Sequence, residues 1–322
     1  MRAVEVSGFG GPEVLRVVER ADPAPSARQA VIAVQVADVL FLETQVRAGR
    51  MRDDFPLTPP YVPGDGVVGT VVAVGSEVDG ALIGDRVAGF AGGQGGYADR
   101  VPLDADGLVP VPDGLASEQA VALLHDGPTA LTLFRNAAVK PDDRVLITAA
   151  AGGMGLLLVQ LAHAAGAHVI AAARGEEKLR LLRDVGADTV VDYSGHDWAD
   201  QVRRAAPDGV DAVFDGAGAE LGGVAFGLTA RGARFSAHGA PAGRFADIDE
   251  DAARERDVTV RGIEQVQLGD EETVGLAAEV LREAAAGRLR PVVGQTFPLD
   301  RAAEAHAALE ERRVTGKTVL VV

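Results

Sequence analysis

The sequence predicts an α/β chain in which a mostly β domain is split around a doubly wound parallel sheet. Three observations carry this. Up to about residue 115, short strand patterns alternate with glycine and proline turns. From residue 117 onward, strands and helices alternate instead. Within that second region, residues 144–174 read as strand, glycine turn, helix, strand. A length of 322 residues is comfortable for two domains.

In order, Ala3-Val4-Glu5-Val6, residues 14–19, residues 30–36 and residues 67–75 are the strands of the first domain, predicted as a barrel or bent sheets. Ser117 is a helix N-cap ahead of an apolar stretch ending at Leu124. Strands follow at 145–149, 168–173, 189–191, 210–214, 234–236 and 258–263, with helices at 155–165, 176–185 and 197–205 between them. That alternation predicts the doubly wound parallel sheet. A helix over 270–286, a helix over 301–312 and a strand over 317–322 close the chain. The predicted boundaries are 1–117 and 269–322 for the two segments of the first domain and 118–268 for the sheet between them.

Ala150-x-Gly152-x-x-Gly155 lies where the glycine fingerprint of a dinucleotide site belongs, after a strand and opening a helix. Backbone N–H groups of Ala151, Gly152, Gly153, Met154 and Gly155 then meet a helix N-terminus, a ready seat for a pyrophosphate. Gly152 admits the phosphates and Gly155 lets the helix lie close to the strand. The plain alternative is an ordinary strand-to-helix turn.

The formal charge is −16, from 31 basic and 47 acidic residues. It opposes nucleic acids and anionic membranes as partners. With no cysteine, disulfides, thiolate catalysis and Cys-ligated zinc are excluded. No signal-peptide core and no uninterrupted apolar run of spanning length is found, so a soluble cytoplasmic protein is expected.

Residues 149–155, Val210-Asp-Ala-Val-Phe-Asp-Gly216, Gly84-Asp-Arg-Val87, residues 109–114, 186–193 and Gly316-Lys-Thr-Val-Leu320 resemble, in order and over nearly the whole chain, the zinc-independent medium-chain dehydrogenases/reductases. The quinone oxidoreductase type is the nearest branch. The resemblance implies a GroES-like catalytic domain split around a Rossmann domain, an active site in the cleft between them, NADPH as hydride donor and a homodimer joined through the last Rossmann strands.

Arg174 ends the second strand of the sheet, where an NAD enzyme carries Asp or Glu for the ribose 2′-hydroxyl; a cation there suits a 2′-phosphate. Lys178 is four residues on, and Tyr193 matches a family position near the same phosphate. Solvated charge is the alternative for both cations and core packing for Tyr193. The resemblance also brings Gly216 to the cofactor, and Arg312 near a phosphate contact, though surface charge accounts for Arg312 and Lys317 as well. Thr129 belongs to a Gly-x-Thr-Ala-like element that the family keeps beside the nicotinamide, with a helix N-cap as the alternative. His238 flanks the nicotinamide or fills a loop.

His125 and Asp126 form a candidate proton-relay pair, although neighbours on a helix seldom face one way. Asp65 and Gly66 stand where zinc-dependent relatives have His and Glu, so a metal-free enzyme is expected. Two family residues are missing: an Asn, replaced in Val39-Leu40-Phe41, and a Tyr after Arg47-Ala-Gly49. Leu40, Phe41 and Met51 suggest an apolar substrate pocket or a plain core, and Tyr61 is a substitute proton donor. The expected activity is hydride transfer from NADPH to a quinone or other activated α,β-unsaturated carbonyl. The rivals are an enoyl reductase of secondary metabolism and a non-catalytic NADPH-binding sensor.

Overall fold

The computed structural model describes residues 1–241 and 243–322, which divide into two compact units. One comprises Met1–His125 and Asp270–Val322, the other Asp126–Gly269. The first segment begins with an antiparallel pair, β1 (Arg2–Val6) and β2 (Leu15–Glu19). It continues with β3 (Gln29–Val39), α1 (Phe41–Arg47), β4 (Gly66–Val74), β5 (Arg86–Phe90), β6 (Arg100–Asp104), β7 (Val109–Pro110) and α2 (Ser117–Leu124). β3 is the long strand of this unit. Its apolar run is buried on both faces, and register shifts between Val31/Ile32 and between Val34/Val36 break its pairing with β4. Such bulges bend a strand and change its twist, and β3 pairs with β6 through Gln29–Ala33 as well as with β4.

The second unit holds α3 (Asp126–Ala137), β8 (Arg144–Thr148), α4 (Gly153–Ala164), β9 (His168–Ala173), α5 (Glu176–Asp184), β10 (Thr189–Asp192) and α6 (Trp198–Ala205). β11 (Val210–Asp215), α7 (Ala219–Phe226), β12 (Thr229–Ala237), α8 (Glu250–Glu255) and β13 (Thr259–Arg261) complete it. Its six strands are parallel in the order β10-β9-β8-β11-β12-β13. β8 and β9 are buried on both faces beyond their first residue, as strands covered on both sides must be. The order reverses between β8 and β11. Ligands of such sheets bind outside the strand ends at that point.

The chain then returns to the first unit through α9 (Asp270–Ala285), β14 (Val293–Pro298), α10 (Ala302–Glu310) and β15 (Lys317–Val321). β15 lies between β14 and β3, so the last strand completes the seven-stranded sheet. Each unit has its own core. Val6, Ile32, Val67, Tyr97 and Leu320 belong to the first, and Leu146, Ile170, Val213 and Phe235 to the second.

The boundary falls at residue 125/126 rather than at 117/118. The reason is α2, whose Ala120–Leu124 face is buried and packs on β3, β4 and β15 of the first unit. The strands β5, β6, β7 and β14 of the first unit carry no strand expectation from the sequence, and the other expected strands and helices lie within a few residues of the observed ones. The short helices α1, α7 and α8 were not foreseen, because each is under three turns and carries no capping pattern of Ser or Thr.

Candidate active site

In the second unit the glycine turn sits at the reversal point. Ala149 has φ +51°, and Gly152 is the N-cap of α4. A Cβ at Gly155 would lie 2.6 Å from the Ala150 carbonyl oxygen and 2.7 Å from the Ala150 Cα, so only glycine lets α4 come this close to the turn. At Gly152 the nearest such neighbour is 3.6 Å away, which leaves its backbone face open. On the other side of the reversal, Thr148 Oγ1 donates to Asp215 Oδ1 at 2.7 Å, and the Ala217 and Gly218 N–H groups donate to the same oxygen at 3.1 Å. These bonds tie the ends of β8 and β11 together. Asp215 Oδ2 is buried without a hydrogen-bond partner, and burial raises this carboxyl above its ordinary range.

Gly216 follows directly, with His238 Nε2 3.6 Å from where its Cβ would be. His238 is buried, shares a 3.0 Å hydrogen bond with Ser236 Oγ, and is pushed down to about 4 by burial. It is therefore a neutral ring at the crevice. Arg174, exposed, leaves the end of β9, and Tyr193 leaves the end of the neighbouring β10. Lys178 is on α5, which packs against both strands. Arg174 and Tyr193 thus stand at adjacent strand ends, with Lys178 on the helix packed beside them. Asp192 is there too, its carboxylate tied to Ser194 and to the Gly175 N–H. Thr129 lies in the first turns of α3 in this unit. Arg312 belongs to the other unit, beyond α10, with φ +56°.

The first unit holds a constellation that sequence reasoning half found. His125 follows α2, and its imidazole bridges two carboxylates: Nδ1 is 2.9 Å from Asp38 Oδ2, and Nε2 is 2.9 Å from Asp65 Oδ2. The expected partner Asp126 instead opens α3 in the second unit. Asp38 is fully buried near the end of β3. Its Oδ1 accepts the Gly66 N–H at 3.1 Å, and Lys317 Nζ from β15 is 3.2 Å from its Oδ2. Gly66 is needed for space, since a Cβ there would sit 2.8 Å from Asp38 Oδ1 and 3.1 Å from His125 Cε1. Asp65 also accepts the Gly93 N–H at 2.9 Å.

Burial works against ionising Asp38, yet the charges of His125 and Lys317 outweigh it and hold the carboxyl down at about 2. Burial also works against charged His125, but Asp38 and Asp65 outweigh it and raise the ring to about 10. At neutral pH the ring is an imidazolium between two carboxylates. It forms part of the wall of a cavity of about 760 Å³, together with Asp65, Phe90, Leu103, Leu108 and Val274. The Phe90 ring meets the imidazole edge-on at 5.2 Å.

Tyr61 is 6% exposed in the core of the first unit, and burial pushes its hydroxyl up to about 12; it does not line this cavity. Nor do Leu40, Phe41 and Met51, and Met51 packs against the same core. Asp38 has no role in the sequence reading, and Lys317, expected as surface charge, is instead buried against Asp38 at 5% exposure. Their signal was one charge inside each of two apolar strand runs, a buried pair of opposite sign.

The cluster makes stability depend on pH. His125 is raised above its unfolded value of about 6.5, so its contribution is whole below that value and is lost as pH rises through about 10. Asp38, depressed, loses its contribution only in strong acid. Glu43, raised to about 7 by burial, adds a further cost above about pH 4.5. Melting temperature should therefore fall from pH 7 to pH 10, and the fall should be shallower in His125→Gln; identical slopes by scanning calorimetry would contradict this account.

Residues 26–113 match the alcohol dehydrogenase GroES-like domain, and residues 185–320 match the zinc-binding dehydrogenase domain. The rat quinone oxidoreductase is 31% identical over 327 residues, covering 100% of this chain and 98% of that protein. A solved NAD-dependent alcohol dehydrogenase is 33% identical with a TM-score of 0.90, and covers both chains fully. The Escherichia coli quinone oxidoreductase, solved in complex with NADPH, is 27% identical with a TM-score of 0.91, again over 100% of both chains. The chain belongs to the quinone oxidoreductase type of the medium-chain dehydrogenases/reductases.

It is an oxidoreductase of GroES-like and Rossmann-like parts. One matched domain is named for zinc. There is no cysteine, both ring nitrogens of His125 face carboxylates, and among the described residues no group of three or more His, Asp or Glu is placed to hold a metal ion. Among the described residues no helix is long and apolar enough to cross a membrane.

Proposed function

We propose that this chain reduces quinones or other activated α,β-unsaturated carbonyls with NADPH, without a metal. The observation that carries the reading is the His125 imidazolium, clamped by Asp38 and Asp65 in the wall of an apolar-sided cavity. When bound, NADPH supplies a hydride, two electrons with one hydrogen. The acceptor then needs one proton at its oxygen, and the proton on His125 Nε2, bonded to Asp65 at the cavity wall, would pass to that oxygen in exchange for the Asp65 bond. Its other nitrogen stays bonded to buried Asp38, which fixes the ring. Phe90, Leu103, Leu108 and Val274 hold the flat acceptor and keep water from it.

The turn at residues 151–155 would hold the pyrophosphate and Arg174, Lys178 and Tyr193 the 2′-phosphate. Gly216, His238 and Thr129 would flank the rest of the cofactor. The NADPH complex of the Escherichia coli relative supports the choice of nucleotide. Arg174→Glu should lower kcat/KM for NADPH about tenfold or more while leaving NADH nearly unchanged. Equal use of the two nucleotides by the unaltered protein would reject the preference. Activity should survive dialysis against a chelator, and a strict zinc requirement would refute the metal-free reading.

The cavity wall also carries Asp104, Asp106, Asp270 and Glu271 against Arg28. That balance disfavours polyanionic acyl-thioester carriers and so favours quinones over the enoyl reductase reading. A second copy would pair through β13, the edge of the six-stranded sheet, where Val260 and Ile263 are exposed. Light scattering giving a monomer at all concentrations would exclude the dimer. A protein that binds NADPH tightly but passes hydride to no acceptor would be the sensor instead.

A further inference from the structure

Two cations meet one oxygen in the first unit. His125 Nδ1 lies 2.9 Å, and Lys317 Nζ 3.2 Å, from the same Oδ2 of Asp38. Lys317 is 5% exposed and Asp38 0%. The sheet dictates the arrangement. Asp38 on β3 is opposite Val319 on β15, and Lys317, two residues earlier, is the diagonal neighbour on the same face. A buried lysine is rare and costly unless it is paired. Asp38 already has the imidazolium and the Gly66 N–H, so balancing its charge does not by itself call for a second cation.

We propose that Lys317 is a positioning residue for proton delivery: by sharing Asp38 Oδ2 with His125, it keeps the imidazolium from being held too tightly to release its Nε2 proton. The inference rests on His125 being the proton donor. A carboxylate that answers to one cation alone binds that cation's proton harder. Lys317 draws part of the charge of Asp38 to itself, and the ring becomes a better acid. The step is a plain proton transfer. The Nε2–H bond breaks, an O–H bond forms on the reduced acceptor, and His125 recovers a proton from water on the Asp65 side, where the carboxylate is 22% exposed. The charged groups facing the ring include Asp38 from β3, Asp65 from the loop before β4, Lys317 from β15 through Asp38, and Glu43 from α1.

The test is Lys317→Gln, which keeps a hydrogen-bond donor and removes the charge, with Lys317→Arg as the conservative control. Side-chain nitrogen NMR of the cofactor-free protein, with the His125 signal assigned by its loss in His125→Gln, reads the ring at pH 10. The unaltered ring should be partly deprotonated there, the Gln variant should remain imidazolium, and Arg should restore the original state. In turnover, Lys317→Gln should lower the plateau kcat about threefold to tenfold and move the alkaline limb up by about one pH unit. A purely structural role would lower kcat with no upward shift of the limb.

An unchanged or more neutral ring in Lys317→Gln overturns the proposal. In an Asp38→Asn background Lys317 has no shared charge to act through, so adding Lys317→Gln should leave the ring as it was. A difference between those two variants also overturns the proposal, and this comparison stands if the single Gln variant does not fold. Failure of the donor reading looks different: His125→Gln would then turn over at the unaltered rate.

Discussion

Replacing His125 by glutamine is expected to lower kcat about tenfold with a strongly oxidising quinone and about 10²-fold or more with an α,β-unsaturated ketone. The two acceptors differ because a quinone stabilises the negative charge it receives, whereas an enone depends on a proton arriving as charge develops. Glutamine keeps a donor of similar reach between Asp38 and Asp65 but carries no transferable proton. The proposed NADPH seat lies in the other unit, so the nucleotide dissociation constant should stay within about twofold. Steady-state rates with both acceptors, together with fluorescence titration of NADPH, decide this. Equal losses for the two acceptors would assign His125 to the architecture of the cavity, and no loss would remove it from the chemistry.

Gly155→Val should be the most damaging single change in the second unit. Its Cβ would come within 2.8 Å of three backbone atoms of Ala150, and a backbone cannot rotate away as a side chain does. Either α4 lifts from β8 or the turn deforms, at a cost of about 3 kcal/mol. The melting temperature should drop and NADPH should no longer bind at accessible concentrations. Gly152→Ala is the informative contrast. Gly152 has φ −78°, and its Cβ would meet nothing closer than 3.6 Å, so the fold should be indifferent. If the turn seats a pyrophosphate, the added methyl stands on that open face and weakens NADPH without changing the melting temperature. A Gly152→Ala protein with full affinity would place the nucleotide elsewhere.

The second unit was the more legible part of the chain because its signals are local. β8, the glycine turn and α4 are contiguous, and β8 and β9 are apolar runs bounded by small or polar residues. The first unit was less so. Its strands pair across long separations, and the polar cluster draws one residue each from β3, the loop before β4, the end of α2 and β15. Position along the chain says nothing of such a meeting. Near the start of a helix, His125 reads in sequence as a partner of its neighbour Asp126. Its actual partners stand 87 and 60 residues away. The apolar pattern of the strand stops at residue 36, two residues short of Asp38, while β3 itself runs to Val39. The hydroxyl of Tyr61 makes it a donor candidate in sequence, but nothing local in the sequence turns that side chain into the core, where it lies.

The seven-stranded sheet sets an order of assembly. β3 emerges before the second unit, but β15, which separates it from β14, is made only after residues 126–269. Residues 126–269 have by then left the ribosome and have all six strands of their own sheet, so they are free to fold first. Until β15 arrives, the nascent first unit has an open flank on β3 and an acidic side chain lacking one of its two counterions. Chaperone capture or aggregation on the ribosome should therefore concentrate on β3, and chains stopped before residue 317 should carry a finished Rossmann-like part tethered to an unfinished partner.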